Sequence, residues 1–196
     1  LEINSTNIKN KDFEWKTTFN LSHNTNKIVN LDGDQTEIVS GTQIHKIGHS
    51  YRTFYMIEFA GINPENGNPQ FYKNDLLEDG TYSKEITENA AEAKSIMLDK
   101  HAEPNVTGGL YNSFRYKWFD LSFLFNYQFG GFSYDTWAQK TEHGGYDMEA
   151  NIPTYYADSW KQPGDITKYE QFYEKSSSVA MHKITNSRRL HSTDYF

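Results

Sequence analysis

Phe119-Asp120-Leu121-Ser122-Phe123-Leu124-Phe125-Asn126-Tyr127-Gln128-Phe129 alternates with a period of two. Its odd positions are all apolar or aromatic. Its even positions are Asp120, Ser122, Asn126 and Gln128, with Leu124 the one exception. An extended chain sends successive side chains to opposite faces, so the stretch reads as a strand with one apolar and one polar face. Its length matches the ~9–11 residues that carry a tilted strand across a membrane. Aromatics gather at both ends: Tyr116, Trp118 and Phe119 at one, and Tyr127, Phe129, Phe132 and Tyr134 at the other. That is how interfacial girdles are placed. On this reading Phe119, Leu121, Phe123 and Phe125 face lipid, and Asp120, Ser122, Asn126 and Gln128 face a lumen. A slip of one residue would put the polar row into hydrocarbon, where a midplane Lys or Arg costs about 2–4 kcal/mol.

Outward from this strand the same pattern recurs. Leu110, Asn112, Phe114 and Tyr116 alternate with Tyr111, Ser113 and Arg115, and Lys117-Trp118 leaves room only for a tight hairpin. Phe13, Trp15, Thr17, Phe19 and Leu21 alternate with Glu14, Lys16, Thr18 and Asn20. Leu1, Ile3 and Ser5 predict one more strand, returning through Lys9-Asn10-Lys11-Asp12. Strands are therefore expected near residues 1–8, 13–23, 106–116 and 119–130. Between and after them lie long polar connections, near 24–105 and 131–196. The first is expected to hold a strand or hairpin around Arg52–Phe59 and a short helix around Ala90–Leu98, where Ala, Glu, Lys, Met and Leu favour helix. The second carries turn chemistry at Gly130-Gly131, Gly144-Gly145 and Pro163-Gly164-Asp165. Compact soluble domains seldom hold such loops. Short turns alternating with long loops are the organisation of outer-membrane barrels. A soluble β-sandwich shares the alternation but not the loop lengths.

Composition narrows the classes. The chain is 16% aromatic yet has a mean hydropathy of -0.81, which amphipathic strands joined by polar loops reconcile and disorder does not. A net charge of -7 without a basic stripe argues against nucleic acid. No apolar run is long enough for a transmembrane helix, which leaves a β-barrel open. With no cysteine, disulfides and thiolate metal sites are excluded. The sequence opens at Leu1 within an alternation and closes at Phe196 after an aromatic residue, so a segment of a longer polypeptide is the expectation.

Several motifs, in order, resemble the SusC/RagA family of TonB-linked outer-membrane proteins. Asp12-Phe13-Glu14-Trp15-Lys16 with Phe19-Asn20-Leu21-Ser22-His23-Asn24 and Asn26-Lys27-Ile28 is similar to its short turn, F-x-W and N-x-S-x-N-x-N-K-V. Ile47-Gly48-His49-Ser50 with Phe54-Tyr55 resembles V-G-x-S…F-Y. Ala60-Gly61-Ile62-Asn63-Pro64-Glu65-Asn66-Gly67-Asn68-Pro69 resembles G-I-D-P-x-T-G-x-P. Pro104-Asn105-Val106-Thr107-Gly108-Gly109, Tyr116-Lys117-Trp118-Phe119-Asp120-Leu121-Ser122 and Trp160-Lys161-Gln162-Pro163-Gly164-Asp165-Ile166-Thr167 resemble P-x-x-x-G-G, Y-K-x-F-D-L-S and W-x-x-P-G-D-x-T. Ser192-Thr193-Asp194-Tyr195-Phe196 resembles S-S-D-Y-x.

The resemblance implies an all-β fold: antiparallel transmembrane strands with long extracellular loops, in the C-terminal part of a barrel of about 22 strands. The plug domain would lie outside this chain. It further implies import of oligosaccharides or peptides across the bacterial outer membrane. The implied partners are a SusD-like surface lipoprotein, TonB through an N-terminal part not in this sequence, outer-membrane lipid, and a pairing of two importer–lipoprotein units. A soluble secreted carbohydrate-binding β-domain and a siderophore or vitamin receptor are the competing readings. Cofactors are not expected.

Catalytic and metal motifs are absent. The histidines lack ligand spacing, and there is no G-x-S-x-G, phosphate loop or dinucleotide fingerprint. Asp32-Gly33-Asp34 lacks the remaining calcium-loop ligands and reads as a solvated turn. Binding chemistry is concentrated in the last connection: Trp137, Tyr146, Tyr155, Tyr156, Trp160 and Tyr169 stand among hydrogen-bonding residues. Such rings grip sugars or peptide side chains, or pack the loop against itself.

Overall fold

Alternation sets the strands, and the tight turns between them set the partners. The computed structural model describes residues 1–145, 150–173 and 184–196. In chain order the described strands are β1 (Glu2–Lys9), β2 (Phe13–His23), β3 (Glu37–Ser40), β4 (Gln43–Lys46), β5 (Thr53–Ile57), β6 (Phe59–Ile62) and β7 (Pro69–Tyr72). They continue with β8 (Ile86–Thr87), β9 (Ser95–His101), β10 (Val106–Tyr116), β11 (Phe119–Phe129), β12 (Phe132–Tyr134) and β13 (Leu190–Ser192). A short helix, α1 (Thr136–Thr141), follows β12, and 3-10 turns occupy Thr154–Asp158 and Ser187–Arg189.

Four long strands form one antiparallel sheet in the order β1-β2-β10-β11. This is the wall. β2 and β10 pair without a slip from Phe13↔Tyr116 to His23↔Val106, although the whole first excursion separates them in sequence. β10 and β11 pair as completely, from Tyr116↔Phe119 to Val106↔Phe129. The register puts both short turns at one end of the sheet, where Lys117 N–H donates to the Asp12 carbonyl at 2.7 Å. Lys117, the first of the two hairpin residues, takes a φ of +53° to close the turn. Both long excursions leave from the opposite end. The second returns to it: Gln128 and Tyr195 exchange backbone hydrogen bonds of 2.9 and 3.0 Å, so the chain comes back antiparallel along the outer edge of β11.

Register turns the apolar face into rows. Ile3, Phe19, Leu110 and Phe125 lie side by side across the four strands, and Ile8, Trp15, Phe114 and Leu121 form a second such row. Phe114 ties the second row together, with ring centroids 5.5 Å from Trp15 and 5.9 Å from Phe123. Between the two rows runs a polar one, Ser5, Thr17 and Asn112, ending at Phe123. It is internally hydrogen-bonded. Asn7 donates to the Thr17 hydroxyl at 2.6 Å, and Thr17 and the Trp15 indole both donate to Asn112 Oδ1, at 2.7 and 3.0 Å. The opposite face carries Glu14, Lys16, Arg115 and Asp120 near the short turns, with Glu14 in ion pairs to Lys9, Lys16 and Arg115.

Gly108 has a specific reason to be glycine. Tyr127 folds across it from β11 to β2, where its hydroxyl donates to the Asn20 carbonyl at 2.8 Å. A Cβ at 108 would lie 2.3 Å from that hydroxyl and 2.3 Å from the Asn20 oxygen.

The excursions are folded. The first holds a sheet ordered β3-β4-β5-β9 and another ordered β6-β7-β8. The expected helix around Ala90–Leu98 is not there. Ala90–Ala93 make a turn, and Ser95–His101 is strand β9, with Ile96 and Met97 paired to Met56 and Tyr55 of β5. Helix propensity is worth tenths of a kcal/mol per residue, and strand pairing with burial of Ile96 and Met56 outweighs it. The excursion core, Phe54, Met56 and Leu190 with Leu98, Ala102, Phe132 and Tyr134 packed around it, draws side chains from both excursions.

Candidate functional site

The two excursions interlock at the long-loop end of the wall. Ile57 bridges to Asn186 in the backbone, and the Phe59 N–H donates to Ser187 Oγ at 3.0 Å. Further out, the turn Asn63–Asn68 receives residues 160–171. The Trp160 indole donates to the Pro64 carbonyl at 2.8 Å and covers Gly67, where a Cβ would come within 2.5 Å of the ring. Gly164 N–H donates to the same carbonyl at 2.9 Å, and Gln171 N–H donates to the Gly67 carbonyl at 3.0 Å.

The six aromatics singled out from sequence are separated by this packing. Tyr155, Tyr156 and Tyr169 come together, with Tyr169 5.2 Å from each of the other two rings. Tyr156 is 1% exposed and has Phe172 edge-on at 5.7 Å, so it supports the cluster from inside. Trp160 is the staple between excursions. Trp137 stands apart on α1, 73% exposed, with Lys140 Nζ 5.4 Å from its ring. Tyr146 lies outside the described residues.

Beneath the tyrosines is a network of ion pairs that the sequence reading missed. Arg188 pairs with Glu142 and, at 2.8 Å, with Glu170, and its guanidinium lies 5.0 Å over the Tyr169 ring. Arg189 reaches Glu142 at 3.3 Å. Glu170 is fully buried, and a buried carboxylate is tolerable only when paired. Burial would lower the Arg188 pKa, but Glu170 and Glu142 outweigh it and hold the guanidinium charged. Tyr155 donates to Glu142 at 3.0 Å. Burial first, and the Glu142 charge second, push its phenol up to about 12, so it remains a donor at neutral pH. Arg188-Arg189 was the one tight basic pair in the sequence, but nothing local tied it to acids so far up the chain.

Tyr155 and Tyr169 also wall a shallow cleft of about 540 Å³, together with Asp158, Ile166, Thr167 and Lys168. Two phenol rings beside one cation and one anion can stack on a flat or apolar group and hydrogen-bond its polar substituents. Ile166, 98% exposed, forms its rim. Among the described residues no group of three or more His, Cys, Asp or Glu gathers in a metal-binding arrangement. No helix among them is long and apolar enough to cross a membrane, which says nothing of a β-barrel.

A wall of long antiparallel strands, short turns at one end and folded excursions at the other define an outer-membrane β-barrel portion. The particular kind follows from comparison with known proteins. The chain is 34% identical over 144 residues to TonB-dependent receptor P3 of Formosa agariphila, a match covering 66% of this chain and 14% of the relative. It is 26% identical over 200 residues to TonB-dependent receptor P39 of the same organism, covering 83% of this chain and 19% of the relative. The structure of the RagAB peptide transporter superposes with a TM-score of 0.77 at 25% identity, over 97% of this chain and 20% of that one. The RagAB peptide importer in its closed-closed state gives 0.76 at 24% identity. No family model matches the chain. It spans about a fifth or less of the length of these relatives. The chain is of the SusC/RagA type of TonB-linked outer-membrane proteins, in the barrel portion. The proteins it matches are named as receptors and a transporter, not as enzymes.

Proposed function

We propose that this chain supplies wall strands and extracellular loops to a TonB-driven importer of the bacterial outer membrane, one that takes up peptides or oligosaccharides and works with a SusD-like surface lipoprotein. The observation that carries the reading is the register of the wall: every short turn at one end, both folded excursions at the other. In such an importer Phe119, Leu121, Phe123 and Phe125 face lipid, and Asp120, Ser122 and Asn126 face the lumen. Gln128 begins on the lumen side but is occupied by Thr193 at 3.0 Å. Peptides are favoured as cargo, because the solved neighbours are a peptide transporter.

Within this reading Tyr155 and Tyr169 contact cargo or lid, with Lys168 and Asp158 offering the termini of a peptide opposite charges. Trp137, exposed on its helix, is a separate contact. Tyr156 and Trp160 act through packing. TonB would act through a part of the protein outside this chain, and pairing of two importer–lipoprotein units would take place in the plane of the membrane.

The test is to isolate outer membranes, solubilise them in mild detergent, and purify the protein that carries Tyr116–Phe129. Recovery as a heat-modifiable barrel with a lipoprotein and bound peptides, identified by mass spectrometry, is the expected result. Recovery as a small water-soluble protein would sink the proposal. Bound glycans in place of peptides would retain the importer and change its cargo.

A further inference from the structure

The three asparagines of Asn63-Pro64-Glu65-Asn66-Gly67-Asn68 all turn their amide nitrogens on one carboxylate. Asn63 Nδ2 donates to Glu88 Oε1 at 2.5 Å, Asn66 Nδ2 to both oxygens at 3.1 Å, and Asn68 Nδ2 to Oε2 at 2.9 Å. Their carbonyl oxygens are taken elsewhere. Asn63 Oδ1 accepts from Glu65 N–H at 2.9 Å, Asn66 Oδ1 from Asn68 N–H at 2.9 Å, and Asn68 Oδ1 from Gln171 Nε2 at 3.0 Å. Those acceptances decide which way each amide faces. Glu88 therefore meets donors only. A cation would need the oxygens instead, so the carboxylate is itself the thing gripped.

The same turn carries the outer contacts between the excursions. Pro64 gives its carbonyl to Trp160 Nε1 and Gly164 N–H, Gly67 gives its carbonyl to Gln171 N–H, and Asn66 gives its carbonyl to Gln171 Nε2. Gly67, at φ +73°, keeps its face bare for the Trp160 indole. Every one of these acceptors is a backbone carbonyl whose direction depends on the turn, and the turn, closed by backbone bonds from Asn63 to Asn68 and from Gly67 to Asn63, is braced by Glu88 through its asparagine side chains.

We propose that Glu88 is a positioning residue that presets the Asn63–Asn68 turn as the seat for residues 160–171, and so couples the outer parts of the two excursions. The coupling stands on its own geometry. Only its consequence, that the rim of an importer opens and closes as a unit, rests on the function proposed above.

Hydrogen exchange read by mass spectrometry on the full-length protein tests it, with Glu88→Gln and Trp160→Ala. The first substitution keeps the side-chain volume but aims an NH₂ at asparagine NH₂ groups. E88Q is expected to raise exchange about tenfold both in residues 62–69 and at the Gly164 and Gln171 amides, with β10 and β11 unchanged. Below the ordinary carboxylate range the wild type is expected to loosen in the same two places, after correction for intrinsic exchange, and E88Q to show no further change. W160A, which removes the indole from the Pro64 carbonyl, should loosen 160–171 while 62–69 remain protected. If E88Q loosens 62–69 alone, or neither segment, Glu88 is not the positioner and the proposal falls. Failure of the importer reading would leave this exchange pattern untouched.

Discussion

Gly108 and Gly109 look alike in the sequence, as two missing side chains at a strand start, but they differ in what a methyl group would meet. At 109 the nearest atoms are side-chain ends 3.2 Å or more away. At 108 they are a backbone oxygen and a phenol at 2.3 Å. Gly108→Ala is therefore expected to expel Tyr127 and destabilise the wall by about 1–3 kcal/mol, with Gly109→Ala close to neutral. Tyr127→Phe removes only the hydrogen bond to Asn20 and should cost about 0.5–1.5 kcal/mol. Heat-modifiability of the barrel on gels, scanned with temperature, ranks the three. At Glu88 the pH dependence has a definite sign. Burial raises its pKa, but the amides of Asn63, Asn68 and Asn66 outweigh it, and the value lies below the ordinary 4.5. A carboxylate with a depressed folded pKa contributes stability above its unfolded value and loses it as pH falls through the folded one. The clasp should thus hold at neutral pH and weaken only as pH falls below the ordinary carboxylate range. Pro64 and Gly67 are residues that shape a turn, and their motif stands out in the sequence. Their partner, twenty residues on in an ordinary polar stretch, does not.

At the scale of elements, alternation located the strands of the wall wherever one face was predominantly apolar, as at Phe13–Leu21 and Phe119–Phe129. It failed at Ala90–Leu98, where composition favoured a helix and only the distant β5 made a strand of it. Pattern also concealed the polar row, because Thr17 and Asn112 read as ordinary members of alternating strands until register placed them side by side. Asn112 is 7% exposed, and its Oδ1 receives both Thr17 and the Trp15 indole. Asn112→Ala leaves two donors unsatisfied on an apolar face and should cost about 1–3 kcal/mol. Replacing the pair together, Thr17→Val with Asn112→Leu, removes donor and acceptor at once and should cost less than the sum of the single changes. A double-mutant cycle on unfolding in detergent or bilayers measures that coupling. Additive costs would mean that the row contributes nothing as a network.

For the whole molecule, wall and rim are held by different physics, and that separates their failures. The wall rests on ladder hydrogen bonds and aromatic rows, with its Glu14 ion pairs confined to the short-turn end, far from the rim. The rim rests on a small core shared by both excursions and on buried ion pairs, Glu142 and Glu170 against Arg188 and Arg189. Replacing Glu170 by Gln removes one charge from a site shielded from solvent, and loss of one partner of a buried pair costs about 3–5 kcal/mol. That cost should fall on the rim alone. E170Q is expected to insert, to remain heat-modifiable, and to keep the exchange protection of β10 and β11. Protease should then cut within residues 130–192 at concentrations that leave the wild type whole. If the variant instead fails to assemble as a barrel, rim and wall fold as one cooperative unit, and the excursions contribute to forming the barrel as well as to crowning it.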